Sequence, residues 1–370
     1  MKKKLLMVVL SVIMVFAFAA CGGGNDSGAS SGDKVKVGFI YIGTVNDGGY
    51  TQAQHNGTVA MGNELGDKVE YVYLEGIDDT NKQAAEDAAK QLIDQGATIV
   101  IGTSFGFGDA LNEMANSGDY DDITFLHFSG SYINDHNLGN YFGAMEEPRF
   151  LSGVIAGLQT TSNKLGYVAA YPYTEVKIGI NSFALGAQSV NPNVEVNVVY
   201  TNSWYDPAGE KQAAEALLSQ GCDVITQHAD TAGPQLAAAD AGAFAIGYNL
   251  DNSGLEGLED AFLTAPVWNH QVYLIPAISA ILDGSWTPES YYGTMADGYI
   301  DLAPLTKNVT AESKAKVEEI TAKIVAGDYP IFQGPIDYAD GSVLVEAGKS
   351  LDRAGIWTID KVIKGVNAPE

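Results

Sequence analysis

The chain has 370 residues, 46% of them hydrophobic, so it is long enough for two domains with separate cores. Its formal net charge is −26, from 46 acidic residues against 20 Lys and Arg. A surface of this sign repels nucleic acid phosphates and anionic lipid headgroups, so we expect neither to be a partner of the folded part.

The first twenty residues, MKKKLLMVVLSVIMVFAFAA, read as a secretory signal. Their apolar run is shorter than the ~20 residues that a spanning helix needs. Small residues leading into Cys21 resemble a bacterial lipobox, and the CGGGNDSGASSGDK that follows has the composition of a flexible tether. We expect a signal peptide over 1–20, a lipidated Cys21, and a tether over 21–33 whose lipid is the only membrane attachment. The alternative is a signal peptide followed by an incidental cysteine.

From Val35 onward, short apolar runs alternate with alanine-rich helical patterns, which indicates βαβ units and parallel sheets. The first half contains the strand patterns VKVGFIYIG, VEYVYLEG, ATIVIGTS and ITFLHFSG, with helices near 51–65, 81–95 and 108–116. The second half contains KLGYVAAYP, VEVNVVYTNS, CDVITQH and AFAIGYN, with helices near 175–188, 208–220 and 233–241.

The two halves are an internal repeat. Residues 70–96 align with residues 195–221 without a gap, glycine against glycine. The pattern therefore predicts an α/β fold of two doubly wound parallel-sheet lobes. Later elements, AFLTAPVWN, a helix near 269–283, GYIDLAPL and a helix near 311–326, are too few for a third domain.

We expect these later elements to complete the two sheets, with the chain crossing between lobes near 143–148, 247–254 and 291–303. The expected boundaries are 34–144 plus 262–295 for lobe 1 and 145–261 plus 296–370 for lobe 2.

Ligands of open α/β sheets lie beyond the carboxyl ends of the strands, and those ends are aromatic and amide-rich here. Stacking faces with a few polar groups suit a flat molecule with polar edges. The segments are TVNDGGYTQ (44–52), TSFGFGD (103–109), FSGSY (128–132), YPYTEV (171–176), TNSWYDP (201–207), QHAD (227–230), YNLDN (248–252) and VWNH (267–270). They supply the candidate ligand-binding residues Tyr50, Ser129, Tyr173, Trp204, Asp230, Asp251, Trp268 and Asn269.

Signatures of enzymes and cofactors are missing from the sequence. The five histidines are dispersed without metal-ligand spacing, and no nucleophile elbow or phosphate loop is present. Cys222 lies in an apolar run and, with Cys21 acylated, has no disulfide partner, so we expect a buried thiol. The sequence therefore favours a binding protein with no catalytic residue, metal or cofactor.

Five segments resemble the basic membrane protein family, whose members are purine-nucleoside-receptor-like lipoproteins of bacterial ABC importers. They are VGFIYIGTVNDGGYTQAQHNG, GTSFGFGD, GYVAAYPYTEVKIGINSFALGAQSVNP, NSWYDP and GCDVITQHAD. The resemblance implies a type I periplasmic-binding-protein fold with a multi-strand hinge. It also implies a monomeric, outward-facing solute receptor on the cell membrane, with a purine ligand and ABC permease subunits as partners.

The resemblance also suggests roles for single residues. Tyr50 and Trp204 match the aromatic side chains that sandwich the purine, Asn46 and Asp47 match positions that can read a base edge, and Phe105 and Phe107 resemble pocket walls. Nucleoside-binding relatives grip the ribose with a lysine and an IGVD segment. Here Trp268 stands near the lysine position and the segment reads IGYNLDN, which favours a free base, adenine first. The alternatives are a purine-nucleoside receptor, a sugar or autoinducer receptor, a nucleoside hydrolase and a lipoprotein adhesin.

Overall fold

The computed structural model describes residues 34–369, so the predicted signal peptide, tether and Cys21 lie outside the described residues. The strands of this range are β1 (Val35–Ile40), β2 (Val69–Leu74), β3 (Ala97–Gly102), β4 (Thr124–Phe128), β5 (Leu138–Gly143), β6 (Lys164–Ala169), β7 (Glu195–Tyr200), β8 (Val224–His228), β9 (Phe244–Ile246), β10 (Phe262–Thr264), β11 (Pro266–Trp268), β12 (Ser290–Gly293), β13 (Ile300–Leu302), β14 (Ile336–Asp337), β15 (Val343–Val345) and β16 (Val366–Asn367).

The α-helices of the same range are α1 (Tyr50–Leu65), α2 (Lys82–Asp94), α3 (Gly108–Ala115), α4 (Glu146–Gln159), α5 (Thr174–Val190), α6 (Pro207–Ser219), α7 (Gly233–Asp240), α8 (Gln271–Asp283), α9 (Ala311–Val325) and α10 (Arg353–Ile356). None of these helices is long and apolar enough to cross a membrane.

Two six-stranded sheets carry the fold, one with the order β12-β5-β4-β3-β1-β2 and the other with the order β10-β9-β8-β6-β7-β16. Every strand pair within them is parallel. Central strands such as β3 are almost wholly buried, as parallel strands covered by helices on both faces must be. The predicted α/β architecture of two doubly wound lobes is confirmed.

The internal repeat of the sequence is a repeat of structure. Helices α2 and α6 occupy equivalent positions, and each begins with a side-chain cap, from Asn81 and Asp206 respectively. Each is followed by a glycine with positive φ, 91° at Gly96 and 89° at Gly221, which turns the chain into the next strand. The two lobes therefore use the same βαβ plan, and their strands end on the same side of each sheet.

The chain passes between the sheets three times, after β5, after β10 and after β12. Strands β11 and β13 pair antiparallel outside both six-stranded sheets and form part of the hinge. The expected crossing at 247–254 is wrong, because the chain stays with the second lobe until β10 has paired with β9. We propose revised lobes of 34–144 plus 269–293 and 146–264 plus 303–369.

The pattern AFLTAPVWN, expected as one strand of lobe 1, forms β10 in the second sheet and β11 in the hinge. Ala265 separates the two strands, and Pro266, the first residue of β11, lacks the backbone donor that a continuing strand in the same ladder would need. The boundary expected at residue 262 therefore moves past Thr264.

Candidate functional site

A cavity lies where the carboxyl ends of the two sheets face each other, and it opens partly to solvent. The first lobe contributes Ile42, Tyr50, Ser104, Phe105, Phe128 and Ser129; the second contributes Glu175, Trp204, His228, Asp230 and Tyr248; and Trp268 comes from the hinge strand β11.

Two aromatic side chains face this cavity from opposite lobes. Tyr50 is the first residue of α1, its hydroxyl donates to the carbonyl of Thr103, and its ring lies 6.1 Å from that of Phe128. Trp204 follows β7 and meets the ring of Tyr171 edge to face, with 5.4 Å between the centroids. Each ring is thus braced by its own lobe and presents an apolar surface to the space between them.

Different residues of the segment TNSWYDP cap helix α6 and line the cavity. The Asp206 carboxylate accepts a hydrogen bond from the backbone N–H of Gly209 at 3.0 Å and caps α6, whose first residue is Pro207. The carbonyl of Trp204 accepts from the N–H of Asp230 at 3.1 Å, which ties this loop to QHAD. Tyr205 is 38% exposed, so Trp204 is the ring that this segment offers to a ligand.

The two lobes touch around the cavity. The N–H of Tyr50 donates to the carbonyl of Asp230 at 3.3 Å, and the side-chain amide of Asn252 donates to the carbonyl of Gly48 at 2.9 Å. The hydroxyl of Ser129 donates to the Glu175 carboxylate at 3.0 Å. These contacts join first-lobe loops to second-lobe loops, so the structure has the closed arrangement.

A second depression, which we call the outer groove, adjoins the cavity. Four residues line both spaces, Phe105, Ser129, Glu175 and Trp204, so the Ser129–Glu175 hydrogen bond lies at the junction. Asp230 lines the cavity and not the groove, so it lies apart from the four residues of the junction. The remaining groove residues are Gly130, Ser131, Asn140, Phe142, Pro172, Tyr173, Thr174, Ser290, Tyr292, Arg353 and Trp357.

The cavity is acidic. Asp230 is 4% exposed, and burial, reinforced by the carboxylates of Glu210, Asp47, Asp79 and Glu175, raises its pKa well above the ordinary aspartate value. No Lys or Arg side chain lines the cavity. A phosphorylated ligand would meet only negative or neutral groups here, so the site suits an uncharged or cationic molecule.

The imidazole of His228 lies beside these carboxylates but is held neutral. Burial lowers the pKa of His228 to about 4, and its Nε2 lies 3.4 Å from the hydroxyl of Tyr248. His228 therefore lines the cavity as a neutral polar side chain and not as a cation. Among residues 34–369 no cluster of His, Cys, Asp and Glu is arranged to hold a metal ion.

The structure brings half of the twelve sequence-predicted binding residues to the cavity. Tyr173 lies outside it on the wall of the outer groove, with its ring 5.1 Å from that of Tyr171. The six residues at the cavity are Tyr50, Phe105, Ser129, Trp204, Asp230 and Trp268.

The other five predicted residues do not line either space. Asn46 is exposed, and the Asp47 carboxylate accepts hydrogen bonds from backbone N–H groups at the start of α1. Phe107 is fully buried in the core of the first lobe rather than in a pocket wall. Asp251 accepts from the N–H of Ser253 in an exposed turn, and the side chain of Asn269 donates to the carbonyl of Gly298.

Six cavity residues were missed by sequence reasoning, although five of them lie inside the segments singled out at strand ends. Which residue of a segment faces the cavity depends on the direction and burial of its side chain, and no local sequence pattern gives these. The missed residues are Ile42, Ser104, Phe128, Glu175, His228 and Tyr248.

The chain is similar to known proteins over most of its length. Residues 34–332 match the family model Bmp, described as ABC transporter substrate-binding protein PnrA-like. A purine-binding protein of Brucella abortus is 37% identical over 92% of this chain and 95% of its own. A protein of Haloferax volcanii named as an ABC transporter glucose-binding protein is 34% identical over 84% of this chain and 77% of its own.

Solved structures share the fold. The crystal structure of an ABC transporter solute-binding protein from Aeropyrum pernix superimposes with a TM-score of 0.67 at 18% identity, covering 82% of this chain and 93% of that one. At this sequence identity the structural similarity is evidence for the fold alone. Since the family model covers nearly the whole described chain, the protein belongs to the Bmp family of PnrA-like ABC transporter substrate-binding proteins.

Proposed function

We propose that this chain is the receptor of an ABC importer for a purine base, with adenine as its preferred ligand. The family consists of substrate-binding proteins that present a small molecule to permease subunits, and not of enzymes. The observation that carries the purine assignment is the placing of Tyr50 and Trp204, from opposite lobes, on one closed cavity. The relative named a purine-binding protein supports it.

The cavity has the chemistry that a flat heterocycle needs. Six of its lining side chains are aromatic, and each ring in offset or edge contact with a ligand contributes roughly 0.5–1.5 kcal/mol beyond the area it buries. Ser104, Glu175, His228 and Asp230 offer polar groups at the edge of that space. A purine buries two apolar faces and carries its polar atoms on its rim, which matches this division.

A free base fits the closed cavity better than a riboside. A sugar on N9 would have to pass the junction with the outer groove, where Ser129 and Glu175 are hydrogen-bonded to each other across the lobes. Trp268 cannot donate to the sugar in their place, because its indole N–H already donates to Asn249 at 3.2 Å. Hydroxyl groups buried without partners cost on the order of 1–3 kcal/mol each.

We therefore expect adenine to bind at least about tenfold more tightly than adenosine. Titration calorimetry with the two compounds measures this difference, because only the sugar distinguishes them. Mass spectrometry of the small molecule released from purified, denatured protein provides the independent check. Equal affinities for adenine and adenosine would contradict the base preference, and binding of neither would contradict the purine assignment.

A sugar is the second candidate ligand, because one relative is named a glucose-binding protein. Sugars also stack on aromatic rings, and the outer groove carries hydroxyl and amide side chains. Glucose belongs in the same titration series for this reason. Tight binding of glucose with no binding of adenine would replace the purine proposal by this one.

We further propose that the mature protein is monomeric and is held at the outer face of the cell membrane by a lipid on Cys21. The proposal is supported by the small residues before Cys21 and by the glycine-rich residues after it. Cys21→Ala should move the protein from the membrane fraction to the soluble fraction, where light scattering should report the mass of one chain. Retention of the variant in the membrane with its signal peptide removed would contradict the lipid anchor.

A further inference from the structure

Five carboxyl groups, those of Asp47, Asp79, Glu175, Glu210 and Asp230, lie near one another around the cavity, and four of them accept hydrogen bonds from the protein. Asp47 accepts from backbone N–H groups, Asp79 accepts from the hydroxyl of Ser104, Glu175 accepts from Ser129, and Glu210 accepts from Thr231. Among residues 34–369 the side chain of Asp230 accepts no hydrogen bond, although the residue is 4% exposed. A buried carboxyl group without a partner is costly, so its presence here needs a reason.

The backbone of Asp230 is fully engaged while its side chain is left free. Its N–H donates to the carbonyl of Trp204 and its carbonyl accepts from the N–H of Tyr50. These two bonds fix the residue between the two loops that carry the aromatic walls. The carboxyl group is thereby held at the edge of the space that a ring stacked on Trp204 would occupy.

The position of the outer groove orients a purine within this space. A substituent on N9 would find room in the outer groove, which adjoins the cavity at Phe105, Ser129, Glu175 and Trp204. With N9 placed toward the groove, the six-membered ring lies among the cavity residues that do not line the groove, and Asp230 is one of them. The group at C6 is then the part of the purine that meets this carboxyl group.

We propose that Asp230 accepts a hydrogen bond from the exocyclic amino group of a 6-aminopurine and makes the receptor select adenine over purines without that group. The inference rests on the proposed function, and it names the group within the ligand that the site reads. No lining Lys or Arg competes for the carboxyl group. An amino N–H satisfies an acceptor that the protein itself leaves without a donor.

The test is a double-mutant cycle between the protein and the ligand. Adenine and unsubstituted purine differ only by the amino group, and Asp230→Ala removes only the carboxyl group, since the backbone bonds of residue 230 remain. The wild-type protein should bind adenine about tenfold more tightly than purine, and Asp230→Ala should reduce this ratio to about twofold or less. Asp230→Asn keeps an acceptor oxygen and should retain part of the preference.

Controls separate the failure of this inference from the failure of the proposed function. Asp251→Ala removes an exposed carboxylate of the same lobe and should leave both affinities unchanged. 9-Methyladenine keeps the amino group and blocks the ring N–H, so its binding should respond to Asp230→Ala as adenine binding does. Equal loss of adenine and purine binding in Asp230→Ala, or a response confined to ligands with a free N9–H, would overturn the inference. Failure of the wild-type protein to bind either compound would overturn the purine assignment itself.

Discussion

Trp204→Ala should weaken adenine binding by about 2 kcal/mol, a factor of roughly thirty, while the protein stays folded. The indole faces the cavity from the second lobe, and its removal both deletes one face of the stack and admits water beside the ligand. The ring is only partly buried and packs against the rings of Tyr171, Tyr173 and His228, so we expect its removal to be tolerated by the fold. Titration calorimetry measures the affinity, and circular dichroism checks the fold.

The matched control for this variant is Tyr205→Ala. Tyr205 is the next residue in the same loop, it is 38% exposed, and it does not line the cavity. Its loss should leave the affinity for adenine unchanged within a factor of about two. If the two variants bound adenine equally well, the segment TNSWYDP would be surface packing, and the stacking model for the site would be abandoned.

Local sequence patterns predict most elements of the two-lobe fold. The strand run ATIVIG and the alanine-rich run KQAAEDAAKQLID each indicate one element, and the structure forms β3 and α2 there. The repeat of this plan at residues 195–221 then gives the second lobe, because equal patterns fold to equal βαβ units. Such elements are determined by residues close together in the chain.

The elements that the sequence did not reveal depend on distant partners. Strand β5, LGNYFG, has two glycines and an asparagine, which local propensity places outside strands, and it is buried between β4 and β12. Helix α4 contains Gly153 and Gly157, residues that disfavour a helix on their own. A Cβ on Gly153 would lie 2.0 Å from the carbonyl of Phe183, so these glycines permit the close approach of α5. Packing between helices, and not propensity, explains α4.

The site shows the same division between local and distant information. The rule that ligands lie beyond the carboxyl ends of strands located the correct loops. It could not tell which side chain of a loop turns inward. In TSFGFGD, Phe105 faces the cavity while Phe107, two residues later, is fully buried in the core of the first lobe. In QHAD, Asp230 lines the cavity while its backbone is hydrogen-bonded to Trp204 and Tyr50, two residues that are far apart in sequence.

Closure of the lobes depends on a residue without a side chain. Gly49 lies directly before α1, and a Cβ built on it would be 1.8 Å from the carbonyl oxygen of Asp230 and 2.6 Å from its carbon. Both atoms belong to the backbone of the other lobe, so no side-chain rotation can relieve the overlap. The neighbouring hydrogen bond from the N–H of Tyr50 to the same carbonyl exists only when the two loops are this close. Gly49 is therefore a requirement of the closed state more than of either lobe alone.

Gly49→Ala should lower the affinity for adenine by about a hundredfold, the largest effect that we expect from a single substitution. An apparent dissociation constant rises in proportion as the binding-competent state becomes rarer, and making closure less favourable by about 3 kcal/mol gives this factor. Small-angle scattering should show wild-type protein becoming more compact when adenine is added and the variant remaining extended at the same ligand concentration. Gly254→Ala is the matched control. Gly254 lies in the same lobe as Asp230, and a Cβ built on it meets no atom within 4 Å. If Gly49→Ala bound adenine as tightly as Gly254→Ala does, binding would not need the close contact between Gly49 and Asp230. The two-lobe site proposed for adenine would then be wrong, and the ligand would be bound by one lobe alone.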